Sequence, residues 1–329
     1  MRSVDAIVVG GGPAGSTAAW QLRRGGASVL VLDKELFPRL KLCAGWITPE
    51  VVHDLELESA QYPHGFLTFE RLHVAVKGVG LALRCVQHSI RRYEFDDWLL
   101  ARSGAAVEQQ AVKTIRRVGA DFIVDDKWRC RYLIGAGGTS CPVYRQLFRE
   151  LQPRNRALQA VALELELPYE WRGADCHLWF FERGLRGYSW CVPKATGWLN
   201  VGIGGMAQRL KDDGEDIREH WLHFVRRLEQ RMGIRIRAEP RGYSYYLRGA
   251  VEGAGIANAY LTGDAAGLAT RDMCEGIGPA VRSGLRSANS ILSGAPYDIS
   301  DIARGSLGNG LLSRVFDWAI TGGRFLSRS

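Results

Sequence analysis

Gly10-Gly11-Gly12-Pro13-Ala14-Gly15 is the segment of this 329-residue chain whose residue types and spacing most directly specify chemistry. In a G-x-G-x-x-G turn the first glycine permits a tight exit from a strand. The second lets backbone approach a pyrophosphate, and the third lets the next helix pack on the sheet. Gly10, Gly12 and Gly15 hold those places, and Pro13 and Ala14 open the helix. Free N–H groups and partial positive charge at a helix start favour phosphate. Asp33 ends the second apolar run, where a carboxylate accepts from ribose hydroxyls, and Lys34 follows it. A second constellation is Gly263-Asp264-Ala265-Ala266-Gly267. Asp264 reads as an acceptor for ribityl hydroxyls ahead of a helix that stabilises charge on a flavin ring, or as an Asx turn before a helix cap. Paired with the N-terminal turn, the first reading prevails, and the dinucleotide expected is FAD.

The elements that must hold these groups show in the apolar pattern. Residues 5–9 and 28–32 read as buried parallel strands around a helix at 16–22, a βαβ unit. Strands at 72–76 and 81–85 pair around Gly78 and Gly80, and a helix spans 92–101. Hairpins over 107–134 end in Tyr132-Leu133-Ile134 and a glycine turn. From 157 to 250 alternating strands rich in Trp and Tyr dominate, with a helix near 215–232. Residues 259–262 read as another buried strand, 278–292 as a helix, and 311–318 as amphipathic. The expected fold is therefore α/β. A discontinuous Rossmann-like domain takes 1–70, 91–155 and 255–295. A mainly antiparallel α+β substrate domain takes 71–90 and 156–254, and a helical tail takes 296–329.

Bulk properties narrow the function. Hydrophobic residues make up 46% of the chain, enough core for one large α/β unit or two packed domains. A net charge of +8 favours anionic partners such as a phosphate-bearing cofactor, a membrane surface or an acidic protein. The basic residues are scattered and carry no nucleic-acid motif, so no nucleic acid is expected. Seven cysteines show neither CxxC nor zinc spacing, so no metal is expected, and free thiols point to the cytoplasm. No leader is expected ahead of the first strand, and no apolar run approaches the roughly 20 residues of a membrane span. The chain reads as soluble, or peripheral at a membrane. No second G-x-G-x-x-G unit appears, so electrons are expected from transiently bound NAD(P)H, another small carrier or the substrate. The seven histidines have no motif context and offer no general acid.

Five segments taken together resemble the geranylgeranyl-reductase-like branch of the FAD-dependent oxidoreductases, within the aromatic hydroxylase superfamily. They are Gly10–Gly15 with Asp33, Pro38–Gly45, Arg92-Tyr93-Glu94-Phe95-Asp96, Tyr188–Lys194, and Gly263–Gly267 continuing to Glu275-Gly276-Ile277. The resemblance implies a Rossmann-like domain of the GR2 type and non-covalent FAD at the domain boundary. Gly10, Gly12, Gly15, Asp33 and Asp264 match its cofactor positions. Pro13, Ala14, Lys34, Gly263, Gly267, Gly276 and Ile277 join them as cofactor candidates. Arg92 matches the arginine of an R-x-x-F-D segment near the cofactor; it also suits a helix-start salt bridge to Asp96. The loop through Lys41 and Cys43 would run beside the flavin. Cys43 reads as a thiol near the ring with Lys41 as perturber, or as a small buried residue. Cys274 would also lie near the flavin. Alternation puts Tyr188, Trp190 and Val192 on one face, which with Trp46 forms a wall of an apolar pocket or packs as core.

Two departures bear on the reaction. Ala44-Gly45-Trp46 replaces the second glycine of the family's cysteine loop. Gly137 stands where the hydroxylases carry an aspartate, which counts against NAD(P)H-driven hydroxylation. The activity implied is hydride transfer from reduced flavin to a C=C bond of an apolar, isoprenoid-like substrate, with a proton from the opposite side. The alternatives are a flavin monooxygenase acting on an aromatic small-molecule, carrier-bound or peptide substrate, and a non-catalytic flavoprotein. A membrane surface or an electron carrier is the further contact that the basic surface and amphipathic tail suggest.

Overall fold

A computed structural model describes residues 1–58, 61–170, 173, 175–249, 253–306, 317, 318 and 320. The N-terminal third contains β1 (Arg2–Val9), α1 (Pro13–Arg24), β2 (Val29–Asp33), β3 (Trp46–Ile47), α2 (Pro49–Asp54), β4 (Leu67–Val76), β5 (Val79–Ser89) and α3 (Arg92–Arg102). The middle adds β6 (Ala106–Gln109), β7 (Ile115–Val118), β8 (Asp121–Val124), β9 (Trp128–Gly135), β10 (Gln159–Pro168), β11 (Cys176–Phe180), β12 (Gly187–Lys194) and β13 (Trp198–Met206). The rest comprises α4 (Ala207–Asp212), α5 (Ile217–Met232), β14 (Arg241–Tyr246), β15 (Gly255–Ile256), β16 (Ala259–Leu261) and α6 (Ile277–Ser293).

Two eight-stranded sheets organise these elements. The first runs β15-β16-β9-β1-β2-β6, with β8 on β9 and β7 on β8. Strands β16, β9, β1, β2 and β6 are parallel. Such strands are covered on both faces and so read as unbroken apolar runs; Ala6, Ile7, Leu30, Val31 and Leu32 are all fully buried. Helices α1 and α6 lie together on one face, packed so closely that a Cβ on Gly284 would stand 2.4 Å from the Ala14 carbonyl oxygen.

The second sheet runs β14-β10-β13-β12-β11-β4-β5-β3 and is antiparallel except at β4 and β11. Its rear face packs on α5 through Leu163, Leu165, Val201, Ile203, Trp221 and Phe224. Its inner face carries Ala160, Ala162, Trp190, Val192 and Leu247. Period-two alternation along β10 therefore sends Glu164 inward, where it is 0% exposed.

The expected domain limits shift in two places. Trp46-Ile47 pairs with β5, and β4 begins at Leu67, so both belong to the second sheet. In the tail, Ile299 and Ile302 pack against Ala254 and Leu268, and Ile320 is buried in the inner-face core. Most of the amphipathic segment 311–318 lies outside the described residues. No described helix is long and apolar enough to cross a membrane.

Candidate active site

A cavity of about 1020 Å³ opens where the C-terminal ends of β1, β2, β9 and β16 meet the inner face of β14. This is where open parallel sheets bind ligands, because the loops there diverge and the helix N-termini face the gap. Gly10, Gly12, Pro13 and Ala14 line it. Gly10 has φ +114°, and a Cβ there would stand 2.4 Å from the Ala136 carbonyl oxygen. Gly15 stays outside the cavity: its Cβ would fall 1.8 Å from the Gly10 carbonyl oxygen, so its part is close helix packing. No side chain caps the N-terminus of α1 at Gly12. An uncapped helix start over a cradle that a Cβ would fill fits a pyrophosphate.

Asp33 and Lys34 also line the cavity. Asp33 fastens the glycine turn: Gly11 N–H donates to Oδ2 at 2.7 Å and Glu35 N–H to Oδ1 at 2.9 Å. Each oxygen keeps a lone pair for a ribose hydroxyl. Gly263, Asp264, Gly276 and Ile277 form the opposite wall. The Asp264 carboxylate has no side-chain or backbone donor among the described residues and suits ribityl hydroxyls. Gly267 does not reach the cavity; at φ +67° it closes a turn under Tyr246. Gly137 lines the wall where hydroxylases carry aspartate, and a Cβ there would meet the Cys141 Cα at 3.2 Å.

The helix-start salt bridge expected between Arg92 and Asp96 is present. Arg92 lines the cavity and grips Asp96 in two bonds of 2.5 and 2.7 Å. Burial opposes its charge, but Asp96 overrides that and holds the guanidinium more firmly protonated than a free arginine. Arg39, which the sequence marks only as a basic loop residue, reaches the same Asp96 at 3.2 Å. Its guanidinium stands over the phosphate turn, 3.3 Å from where a Gly12 Cβ would be. Its position depends on α3, distant in sequence, so no local signal announces it.

The three flavin-side candidates, Lys41, Cys43 and Cys274, line the cavity. The cations beside Cys43 are Arg92 and Lys194, where the sequence points to Lys41. Lys41 instead lies over the Tyr243 ring at 4.2 Å. Burial pushes the Cys274 thiol up to about 12, which keeps it a neutral thiol.

The expected pocket wall needs correction. Tyr188, Trp190, Val192 and Trp46 face inward but do not line the cavity. Tyr188 donates to the Met273 carbonyl at 2.5 Å, Trp190 donates to Asn200 at 2.7 Å, and Trp46 packs on Phe69. Tyr243 and Tyr245 supply the wall instead, because β14 is the edge strand beside the glycine turns. Lys194 is 0% exposed and donates to the carbonyls of Cys43, Ala44 and Ile90 at 3.0, 3.1 and 2.8 Å. It pins the cysteine loop to the second sheet.

Glu275 leads into α6, where Gly278 N–H donates to it at 2.5 Å. Burial pushes its carboxyl up to about 7 despite that bond. A carboxyl raised on folding stabilises while neutral: its contribution is intact below its unfolded value and is lost as pH rises through the folded one. Wild-type stability should therefore fall by up to about 3 kcal/mol between about pH 4 and about pH 8 from this group. Glu275→Gln should flatten that fall, read by denaturant melts across the range; an unchanged slope would refute it.

The cavity, its uncapped helix start and its two acidic acceptors fit a dinucleotide. Residues 8–73 match the family of NAD(P)-binding Rossmann-like domains. The menaquinone reductase of Mycobacterium tuberculosis is 28% identical over 330 residues, covering 92% of this chain and 78% of that one. Digeranylgeranylglycerophospholipid reductase 2 of Methanopyrus kandleri is 31% identical over 222 residues, covering 61% and 54%. A geranylgeranyl bacteriochlorophyll reductase-like protein of Thermoplasma acidophilum shares the fold at TM-score 0.77 and 19% identity, covering 89% and 79%. The chain is an FAD-dependent oxidoreductase, similar to geranylgeranyl-reductase-like proteins in sequence and fold.

Proposed function

We propose that the protein reduces a carbon–carbon double bond of an apolar, isoprenoid-like substrate. The observation that carries this reading is one cavity that brings a cradle suited to a dinucleotide, Gly10, Gly12, Asp33 and Asp264, together with Tyr243, Tyr245, Ala269 and Cys274. The names of the similar reductases support it.

FAD held there would supply the hydride chemistry that such a reduction needs. The chain does the rest. The α1 N-terminus and Arg39 receive the pyrophosphate, Asp33 a ribose, and Asp264 the ribityl hydroxyls. Lys194 and Arg92 fix the loop carrying Cys43, and the tyrosines exclude water from the reacting face. Electrons arrive from transiently bound NAD(P)H or a small carrier. A chain of charge +8 is drawn to anionic membrane surfaces, where an apolar substrate resides.

The test is anaerobic. Protein reduced chemically and mixed with a polyprenyl alkene should regain the oxidised-flavin spectrum and yield the saturated product. Reoxidation only by oxygen, with hydroxylation of an aromatic compound, would overturn the reading in favour of a monooxygenase.

A further inference from the structure

Reducing an alkene takes a proton as well as a hydride, and none of the seven histidines lines the cavity. We propose, building on the reductase reading above, that Tyr243 donates this proton and that Glu164 behind it replaces the proton it gives.

The argument rests on a chain of side chains with fixed polarity. The Trp190 indole N–H can only donate, and it donates to Asn200 Oδ1 at 2.7 Å. That orients the amide, so Asn200 Nδ2 donates to Glu164 Oε2 at 3.2 Å. Oε2 must then accept. The other oxygen, Oε1, accepts from the Tyr243 hydroxyl. When Glu164 is neutral with its proton on Oε1, that bond reverses and the proton points at the Tyr243 oxygen. The Tyr243 O–H is then released from Glu164, on a residue that lines the cavity.

A missing side chain makes the chain possible. Glu164, Gly202 and Trp190 are directly opposed across β10, β13 and β12. A Cβ on Gly202 would lie 2.2 Å from the Trp190 indole and 2.8 Å from Glu164 Cγ. Glycine at that rung lets the indole and the carboxyl both reach Asn200.

Several groups face Glu164. They are Tyr243 and Arg241 on β14, Lys41 from the cysteine loop, Lys194, Tyr188 and Asn200 from β12 and β13, and Glu166 on its own strand. Burial raises the Glu164 carboxyl above its usual range, while Tyr243, Asn200, Lys41 and Lys194 pull the other way and only partly offset it. Tyr243 is held well above the usual phenol range by burial, so it stays a donor.

The step balances. A hydride forms one C–H bond at the alkene, and the Tyr243 O–H proton forms the second C–H bond at the adjacent carbon. The Glu164 proton passes to the Tyr243 oxygen, leaving a carboxylate facing Lys41 and Lys194. Water restores the proton when product leaves.

Two variants and two readouts test this. In single-turnover reoxidation by a polyprenyl alkene, Tyr243→Phe and Glu164→Gln should each be about 10² to 10⁴ times slower than wild type. Both should keep wild-type FAD affinity and melting temperature, and Glu164→Gln should lose the upper pH inflection. Independently, infrared difference spectra of the oxidised protein should show a protonated-carboxyl band at neutral pH that Glu164→Gln removes. Wild-type rates and pH profile in Tyr243→Phe would overturn the donor role. Absence of the band from wild type would overturn the neutral buried acid. If wild type itself fails to react with alkenes, the reductase reading and the donor role fall together, and the infrared band alone decides the state of Glu164.

Discussion

Gly10→Ala is expected to yield a protein that purifies without flavin, or that fails to accumulate folded. The residue sits at φ +114°, outside the range of L side chains. The added methyl would stand 2.4 Å from the Ala136 carbonyl oxygen and 2.7 Å from the Gly137 nitrogen. Both are backbone atoms of the turn after β9, and Ala136 N–H is already bonded to the Val9 carbonyl at 2.8 Å. Neither side can yield without opening the β1–β9 ladder at the pyrophosphate. FAD affinity should fall at least about 100-fold, equivalent to about 2.7 kcal/mol. Gly26→Ala is the control: φ is +84°, yet nothing lies within 4 Å, so only local strain of about 1–2 kcal/mol applies. Equal flavin content in the two variants would refute the argument.

Asp96→Ala should unfold the protein at markedly lower temperature. The carboxylate is 0% exposed and serves two cations, Arg92 and Arg39. Removing it leaves a buried guanidinium without its counter-charge, a loss of about 3–5 kcal/mol from a total of about 5–15. The melting temperature should drop on the order of 10 °C. Glu108→Ala breaks the Arg2–Glu108 pair, whose side chains are 55% and 41% exposed, and should shift it little. Because Arg39 also stands over the phosphate turn, Asp96→Ala should weaken FAD binding as well; thermal melts with and without added FAD separate the two effects.

The local half of this molecule is legible in its sequence. The β1–α1–β2 unit, the glycine turns and Asp264 are contiguous motifs whose residues meet within one or two elements. What escapes is contact between distant strands. Alternation assigns Tyr188, Trp190 and Val192 to the inner face, as it does Tyr243 and Tyr245. It cannot say that β12 lies three strands inward while β14 borders the cavity. The two-residue β3 leaves no periodic signal, and the alternation of Leu67-Thr68-Phe69-Glu70 is put out of step with 72–76 by the register shift between Phe69 and Arg71. Local spacing does not set what Glu164, Asn200 and Arg39 touch. Their roles come from register across β10, β13 and β14, and from the folding of the loop at Arg39 onto α3.

The cavity walls also set an order of events during biosynthesis. Residues from Gly10 to Ile277 line one space, and β9 joins the N-terminal strand β1 to the late strand β16. Such long-range pairing folds slowly, since loop closure precedes the contacts that reward it. A chain still emerging from the ribosome cannot complete the site until α6 is made, so cofactor capture follows the synthesis of α6. Capture then draws the equilibrium toward the native state by RT ln(1 + [L]/Kd), about 4 kcal/mol at a thousandfold excess over Kd. By that linkage, flavin supply governs how much folded protein survives surveillance by proteases as well as how much of it is active.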